Sequence, residues 1–244
     1  MTITAGGSGP RFLVIGCGSI GKRHVGNLKA LGVQDILCFD TREDRRHEVR
    51  SLFEVATVDS LEDAWRLAPN VALIATPSSL HVALAFEAAR HGCHLFIEKP
   101  LSGRSDDDIP ALSALVKERG LTTLVGCNMR FHPGPARVKR LIDEGAIGQL
   151  NHIYCYMDGG KPAPWWRSEN EGPLLHDYTH YFDLMDLYAG EVDWLCGMAE
   201  QRIRPWAIED FSAAMMKFKN GATGLICGTE LTEYDESGFE LRGY

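Results

Sequence analysis

The sequence predicts an α/β protein: a doubly wound parallel sheet with crossover helices, followed by an α+β domain built on a largely antiparallel sheet. Three observations carry that prediction. From Arg11 to about Val125 short apolar runs alternate with amphipathic helical patterns, the rhythm of strand, crossover and parallel strand. The first run ends in a glycine-rich turn that opens a helix. After Val125 the rhythm breaks at a Pro/Gly-rich stretch, Phe131-His132-Pro133-Gly134-Pro135, and longer strand patterns follow. The boundary is expected near residue 126, giving domains 1–126 and 127–244.

The expected strands of the first domain are Phe12 to Ile15, Ile36 to Phe39, a weaker run near Val55, Val71 to Ala75, His94 to Ile97 and Thr122 to Val125. Two helices between them show their punctuation. Ser78 is placed to cap a helix with the apolar stripe Leu80, Ala83, Leu84 and Ala88 and a stop at Gly92. Asp106, Asp107 and Asp108 precede Ile109, Leu112, Leu115 and Val116, a second helix that ends at Gly120. Carboxylates at a helix start oppose the helix dipole, and that reading is preferred to a metal cluster. In the second domain a helix ends at Gly145, strand patterns fall at about 149–158, 192–202, 210–218 and 222–229, and a helix covers Leu174 to Tyr188 with its stop at Gly190.

Composition narrows the functional classes. The 244 residues are 45% hydrophobic and 24% charged, which excludes a mainly disordered chain. Net charge is −8, so a broadly basic nucleic-acid surface is not expected. No apolar run approaches the roughly 20 residues that span a bilayer, and no membrane partner is expected. The opening MTITAGGSGP lacks a positive n-region and an apolar h-region, so it reads as a loose leader and the location as cytoplasmic. Seven cysteines, odd in number and without a C-x-x-C, read as reduced core thiols.

Gly16-Cys17-Gly18-Ser19-Ile20-Gly21 is a G-x-G-x-x-G between a strand and a helix. The first glycine permits the tight turn, the second lets a pyrophosphate approach the backbone, and the third lets helix and strand pack closely. Phosphate charge then meets the helix N-terminus at Ser19 and Ile20. Asp40 ends the second strand, where a carboxylate accepts the ribose hydroxyls of NAD. Arg42, Arg45 and Arg46 follow and could meet the 2′-phosphate of NADP, but Asp40 would repel it, so NAD is favoured.

The fifth strand ends in Glu98-Lys99-Pro100, at the sheet edge where ligands of doubly wound folds collect. At this point the sequence resembles the glucose-fructose oxidoreductase and inositol dehydrogenase family (Gfo/Idh/MocA). The resemblance rests on the glycine turn, on Ala75-Thr76-Pro77 followed by His81, on Glu98-Lys99-Pro100, and on Gly126-Cys127-Asn128-Met129-Arg130-Phe131-His132-Pro133. It implies a Rossmann domain, a second domain whose open sheet often mediates homo-oligomerisation, NAD(P), and hydride exchange at a hydroxyl-bearing carbon of a small-molecule substrate such as a sugar, cyclitol or related diol. Cofactor contacts are then expected from Gly16, Gly18, Ser19, Ile20, Gly21, Asp40, Thr76, Pro77, His81, Glu98 and Lys99. The resemblance also implies a carboxylate and a histidine on a second-domain helix beside the lysine; the matching residues are Asp177 and His180. Many family members space the acid four residues before the histidine, whereas here the spacing is three, as in some branches.

Lys99, His180 and Asp177 are therefore the expected catalytic residues. An imidazole with a pKa near about 6.5 suits proton transfer at neutral pH, while an ammonium near about 10.4 suits stabilisation of developing alkoxide charge. Arg130, Trp166 and Arg167 are the expected substrate contacts. Trp165 and Trp166, preceded by Lys161 and Pro162, can stack on a sugar face while Arg167 meets an anion, or can anchor their loop to the core; Arg130 can meet substrate or brace the domain junction. Two other classes compete. His176 and His180 form H-x-x-x-H, a zinc spacing, although a zinc peptidase wants Glu where Asp177 stands. A non-catalytic relative would use dinucleotide and sugar occupancy as a signal. The last residues, Ser237 to Tyr244, read as the middle of a strand and turn, so the second sheet is expected to be incomplete, with an exposed edge that favours association or loss of activity.

Overall fold

The computed structural model describes residues 9–159, 172–203, 208–233 and 235–244. The chain divides into two compact units, Met1–Gly126 and Cys127–Tyr244. The strands of the first are β1 (Phe12–Ile15), β2 (Ile36–Phe39), β3 (Ala56–Val58), β4 (Val71–Ile74), β5 (His94–Ile97) and β6 (Thr123–Val125). The runs of β1, β2, β4 and β5 are covered on both faces by the two apolar clusters, the edge strands β3 and β6 less so, and every neighbouring pair is parallel. The order β3-β2-β1-β4-β5-β6 reverses direction between β1 and β4, the switch point at which doubly wound sheets bind ligands. Helices α1 (Ser19–Ala30), α2 (Glu43–Phe53), α3 (Leu61–Arg66), α4 (His81–Arg90) and α5 (Ile109–Glu118) cross over between them. The sheet separates two apolar clusters, one around Leu13, Ile15, Ile74, Ala85 and Leu112, the other around Val14, Val25, Cys38 and Val49.

Two local expectations change. Ser78 does not cap α4: Pro77 leads into a single 3-10 turn, Ser78–Leu80, and α4 starts only at His81. The helix is therefore rotated relative to the expected stripe, burying His81, Val82, Ala85, Ala88 and Ala89 and leaving Leu80 48% exposed. The Asp triplet divides its work. Asp108 caps α5 by accepting the Ala111 N–H at 2.9 Å, and Asp106 pairs with Arg104.

The second unit holds α6 (Pro133–Asp143), β7 (Leu150–Asp158), α7 (Pro173–His176), α8 (Tyr178–Ala189), β8 (Val192–Glu200), β9 (Phe211–Phe218), β10 (Thr223–Thr229) and β11 (Glu236–Gly243). Its sheet runs β11-β7-β10-β9-β8, antiparallel except for the β7–β10 pair. Alternation sorts the side chains to two faces. Ala214, Met216, Phe218, Ile226, Ile153 and Cys155 pack with Leu184, Met185 and Tyr188 of α8. Four cysteines are buried, but Cys196 on β8 is exposed, which departs from the expectation of core thiols. No helix among the described residues is long and apolar enough to cross a membrane.

Candidate functional site

The carboxyl ends of β1, β2, β4 and β5 lie along one edge of the parallel sheet, so the turns that follow them are neighbours. The glycine turn is built by close approach. Gly16 has φ +97°, and a Cβ there would meet the Ala75 carbonyl oxygen at 2.5 Å; a Cβ on Gly21 would meet the Gly16 carbonyl oxygen at 1.8 Å. Neither position admits a side chain. Gly18 stands at the head of α1, where no acidic residue occupies the first turn, and Ser19 and Ile20 are exposed. These open N–H groups suit a diphosphate.

Asp40 is 5% exposed and braces the same turn: its carboxylate accepts the Cys17 N–H at 2.8 Å and the Arg42 N–H at 2.9 Å. A carboxylate has about four acceptor sites, so two remain for ribose hydroxyls. The Arg45 guanidinium stands 3.5 Å from Asp40 and lies over Gly18. Thr76 is half-buried, Pro77 exposed and His81 buried. The His81 ring joins two turns, with Nδ1 at 2.8 Å from the Pro100 carbonyl and Nε2 at 2.8 Å from the Thr76 carbonyl. Both its nitrogens are thus engaged with backbone, so its contribution to the edge is to tie the turn after β4 to the turn after β5. Lys99 is half-buried in the latter turn, and its peptide to Pro100 is cis.

Glu98 is held from three sides. His24 Nε2, on α1, reaches Oε1 at 2.6 Å, the Lys99 N–H donates to Oε2 at 3.2 Å, and a Cβ on Gly126 would meet the carboxylate at 3.3 Å. Burial pushes the Glu98 carboxyl upward, but hydrogen bonding and attraction to His24, with the Lys99 N–H and charge, outweigh it and hold the group below its ordinary value. His24 is the residue that the sequence reading missed. Its signal was the spacing: three residues beyond Gly21 it shares the helix face that packs on the sheet.

In the second unit Asp177 is the joint between α7 and α8, with φ −108° and ψ −44°, and His180 lies half-buried in the first turn of α8, its N–H on the Asp177 carbonyl at 3.2 Å. His176 and His180 thus straddle a break between helices, which removes the continuous-helix premise of the zinc reading. Asp177 and Tyr181 line a cavity of about 250 Å³ together with Asp158, Glu230, Asp235 and Ser237. Arg130 lies in the 3-10 turn Asn128–Phe131 and is turned onto α8. Its Nε donates to both Asp183 oxygens at 2.8 and 2.7 Å, and Nη2 reaches Asp186 at 3.0 Å. These bonds engage Nε and Nη2 and make Arg130 a brace between its turn and α8. Lys161, Pro162, Trp165, Trp166 and Arg167 lie outside the described residues.

A parallel sheet with a glycine turn at its switch point and an acid ending the second strand defines a dinucleotide-binding architecture. The chain belongs to the Gfo/Idh/MocA family. Residues 10–127 match the family's NAD-binding Rossmann-fold model, and residues 136–244 match its C-terminal domain model. Among similar proteins are the scyllo-inositol 2-dehydrogenase (NAD(+)) of Bacillus subtilis, 27% identical over 92% of this chain and 68% of that protein, and the myo-inositol 2-dehydrogenase of Thermotoga maritima, 27% identical over 92% and 70%. The WlbA dehydrogenase of Bordetella pertussis, solved with NADH and UDP-GlcNAcA, superposes with a TM-score of 0.88 at 25% identity, covering 96% of this chain and 77% of that one. The protein is an NAD-binding oxidoreductase.

Proposed function

We propose that the protein oxidises a hydroxyl-bearing carbon of a sugar, cyclitol or related diol in the cytosol. Bound NAD supplies the hydride acceptor. His180 would take the hydroxyl proton as the carbon bearing it gives up its hydride to that acceptor, leaving a carbonyl. Lys99 donates a hydrogen bond to the reacting oxygen and stabilises its developing negative charge. Asp177, one turn before His180, orients the imidazole. The observation that carries this reading is the placement of the glycine turn, Asp40 and the Glu98–Lys99 turn along one edge of a single parallel sheet. The inositol dehydrogenases among its relatives support the substrate class.

The test is NADH formation, followed by absorbance, with NAD and a panel of inositols, sugars and dihydrodiols. A substrate from that panel should lose turnover by about 10²- to 10⁴-fold with His180→Ala, and Lys99→Met should fall in the same range, while NADH affinity changes by less than a few-fold. Unchanged turnover in His180→Ala rejects the assignment.

We also propose that copies of the chain associate through the open face of the second sheet. There Met215, Leu225, Cys227 and Tyr154 alternate with residues packed against α8, and Trp194 and Met198 of β8 lie beside them on the same face. Trp194, Met198 and Met215 are 45%, 47% and 39% exposed, and a contiguous apolar surface of this kind marks an interaction site.

A further inference from the structure

We infer that His24 is a positioning residue for the nicotinamide half of the cofactor, acting through Glu98 on the turn that carries Lys99. The dinucleotide of a doubly wound fold lies across the strand ends, with its adenosine half on the β1-β2-β3 side and its nicotinamide half on the β4-β5-β6 side. Helix α1 starts at the phosphate turn, and Glu98 follows β5. The contact of 2.6 Å between His24 Nε2 and Glu98 Oε1 therefore links the element that binds the diphosphate to the turn beside the nicotinamide.

The contact is enclosed. The side chains are 16% and 18% exposed, and the His24 ring stands edge-on to Phe96 at 5.1 Å between centroids, so the imidazole has little freedom to swing away. Nε2 carries the hydrogen and the carboxylate accepts it, a charge-assisted bond in a partly dry setting. The second carboxylate oxygen accepts the Lys99 N–H, and the Glu98 N–H continues the ladder to the Ile74 carbonyl at 2.9 Å. One side chain thus fixes both the rotamer of Glu98 and the backbone direction at Lys99. Without His24 the carboxylate would keep only the Lys99 N–H among these bonds and could turn toward solvent. The Lys99 N–H would then lose the carboxylate that aims it, although the His81–Pro100 contact, the glycine turn and Asp40 would be untouched.

That asymmetry gives the test, and the inference rests on the reading that the Glu98–Lys99 turn borders the nicotinamide. NADH and ADP-ribose affinities are measured for wild type, His24→Ala, His24→Gln and Glu98→Ala. His24→Ala should weaken NADH about tenfold while leaving ADP-ribose within twofold. His24→Gln, whose amide nitrogen reaches nearly as far as Nε2, should recover most of the NADH affinity, which a loss of mere packing would not allow. If His24→Ala does not fold, His24→Asn carries the same comparison, since its amide keeps polarity but falls short of Glu98. Equal weakening of both ligands, no weakening of either, or no recovery by Gln overturns the inference. Glu98→Ala separates the two readings. If it shows the selective loss and His24→Ala does not, only the role of His24 falls; if Glu98→Ala binds both ligands as wild type does, the placement of the turn beside the nicotinamide fails and the inference falls with it.

Discussion

A single methyl group at position 21 would stand 1.8 Å from the Gly16 carbonyl oxygen, and that oxygen belongs to backbone, so nothing flexible can yield. Gly21→Ala must push α1 off β1 and open the turn that receives the diphosphate. NADH affinity is expected to fall by more than about tenfold, with a lower melting temperature, by titration calorimetry and thermal denaturation; unchanged affinity would show that the turn is not the phosphate cradle. Glu98 supplies a second prediction at this scale. Its folded carboxyl lies below the ordinary value, so its contribution to stability is present above the unfolded pKa of about 4.3 and drains away as pH falls through the lower folded value. Glu98→Gln should be less stable than wild type at pH 7, and the gap in urea midpoint should close as pH falls below about 4. A gap that widens on acidification would contradict the direction of the shift. The spacing after Gly21 could place His24 on the inner face of α1, but its effect on Glu98 could not be read from the chain, because the two lie 74 residues apart; the glycines could, because their constraint is local.

Elements differ in the same way according to where their partners lie. The central strands of the first sheet were legible because each is a short apolar run, and a strand covered on both faces needs no further pattern. The face of α4 was not legible. Pro77 and Ser78 look like a helix start, but the chain spends them on a 3-10 turn, and three residues of delay rotate the stripe. The break at Asp177 is equally hidden, since Leu174 to Tyr188 reads as one apolar period although α7 stops at His176. Arg130 was legible as a motif residue only; its carboxylate partners on α8 are 53 and 56 residues downstream. Because Asp183 has only 14% of its side chain exposed, removing the guanidinium leaves a poorly solvated charge. Arg130→Ala should destabilise the second unit by about 1–2 kcal/mol, allowing for partial solvent screening, and leave NADH affinity within twofold. Substrate KM that rises with no loss of stability would return Arg130 to the substrate.

At the scale of the whole molecule, the two units handle their apolar surface differently. The central strands of the parallel sheet are covered on both faces by two apolar clusters, whereas the second sheet packs α8 on one face and presents alternate residues of β7, β9 and β10 on the other, with β8 beside them. Every position of β8 from Val192 to Ala199 is exposed, although the strand carries Val192, Trp194, Leu195 and Met198. Burying about 800 Å² per partner is enough for a standard interface, and a twisted sheet face of four strands supplies area on that scale. The residues at its middle are apolar, so one carboxylate there would be desolvated without a partner on association. Met215 is the position to choose: it pairs with Cys196 on one side and Leu225 on the other and points away from α8. Met215→Glu should convert an oligomer at tens of micromolar into a monomer by light scattering, while NADH binding, which the first unit provides, stays within twofold. Wild-type protein that is already monomeric at that concentration, or a variant that stays associated, would remove this face from the assembly.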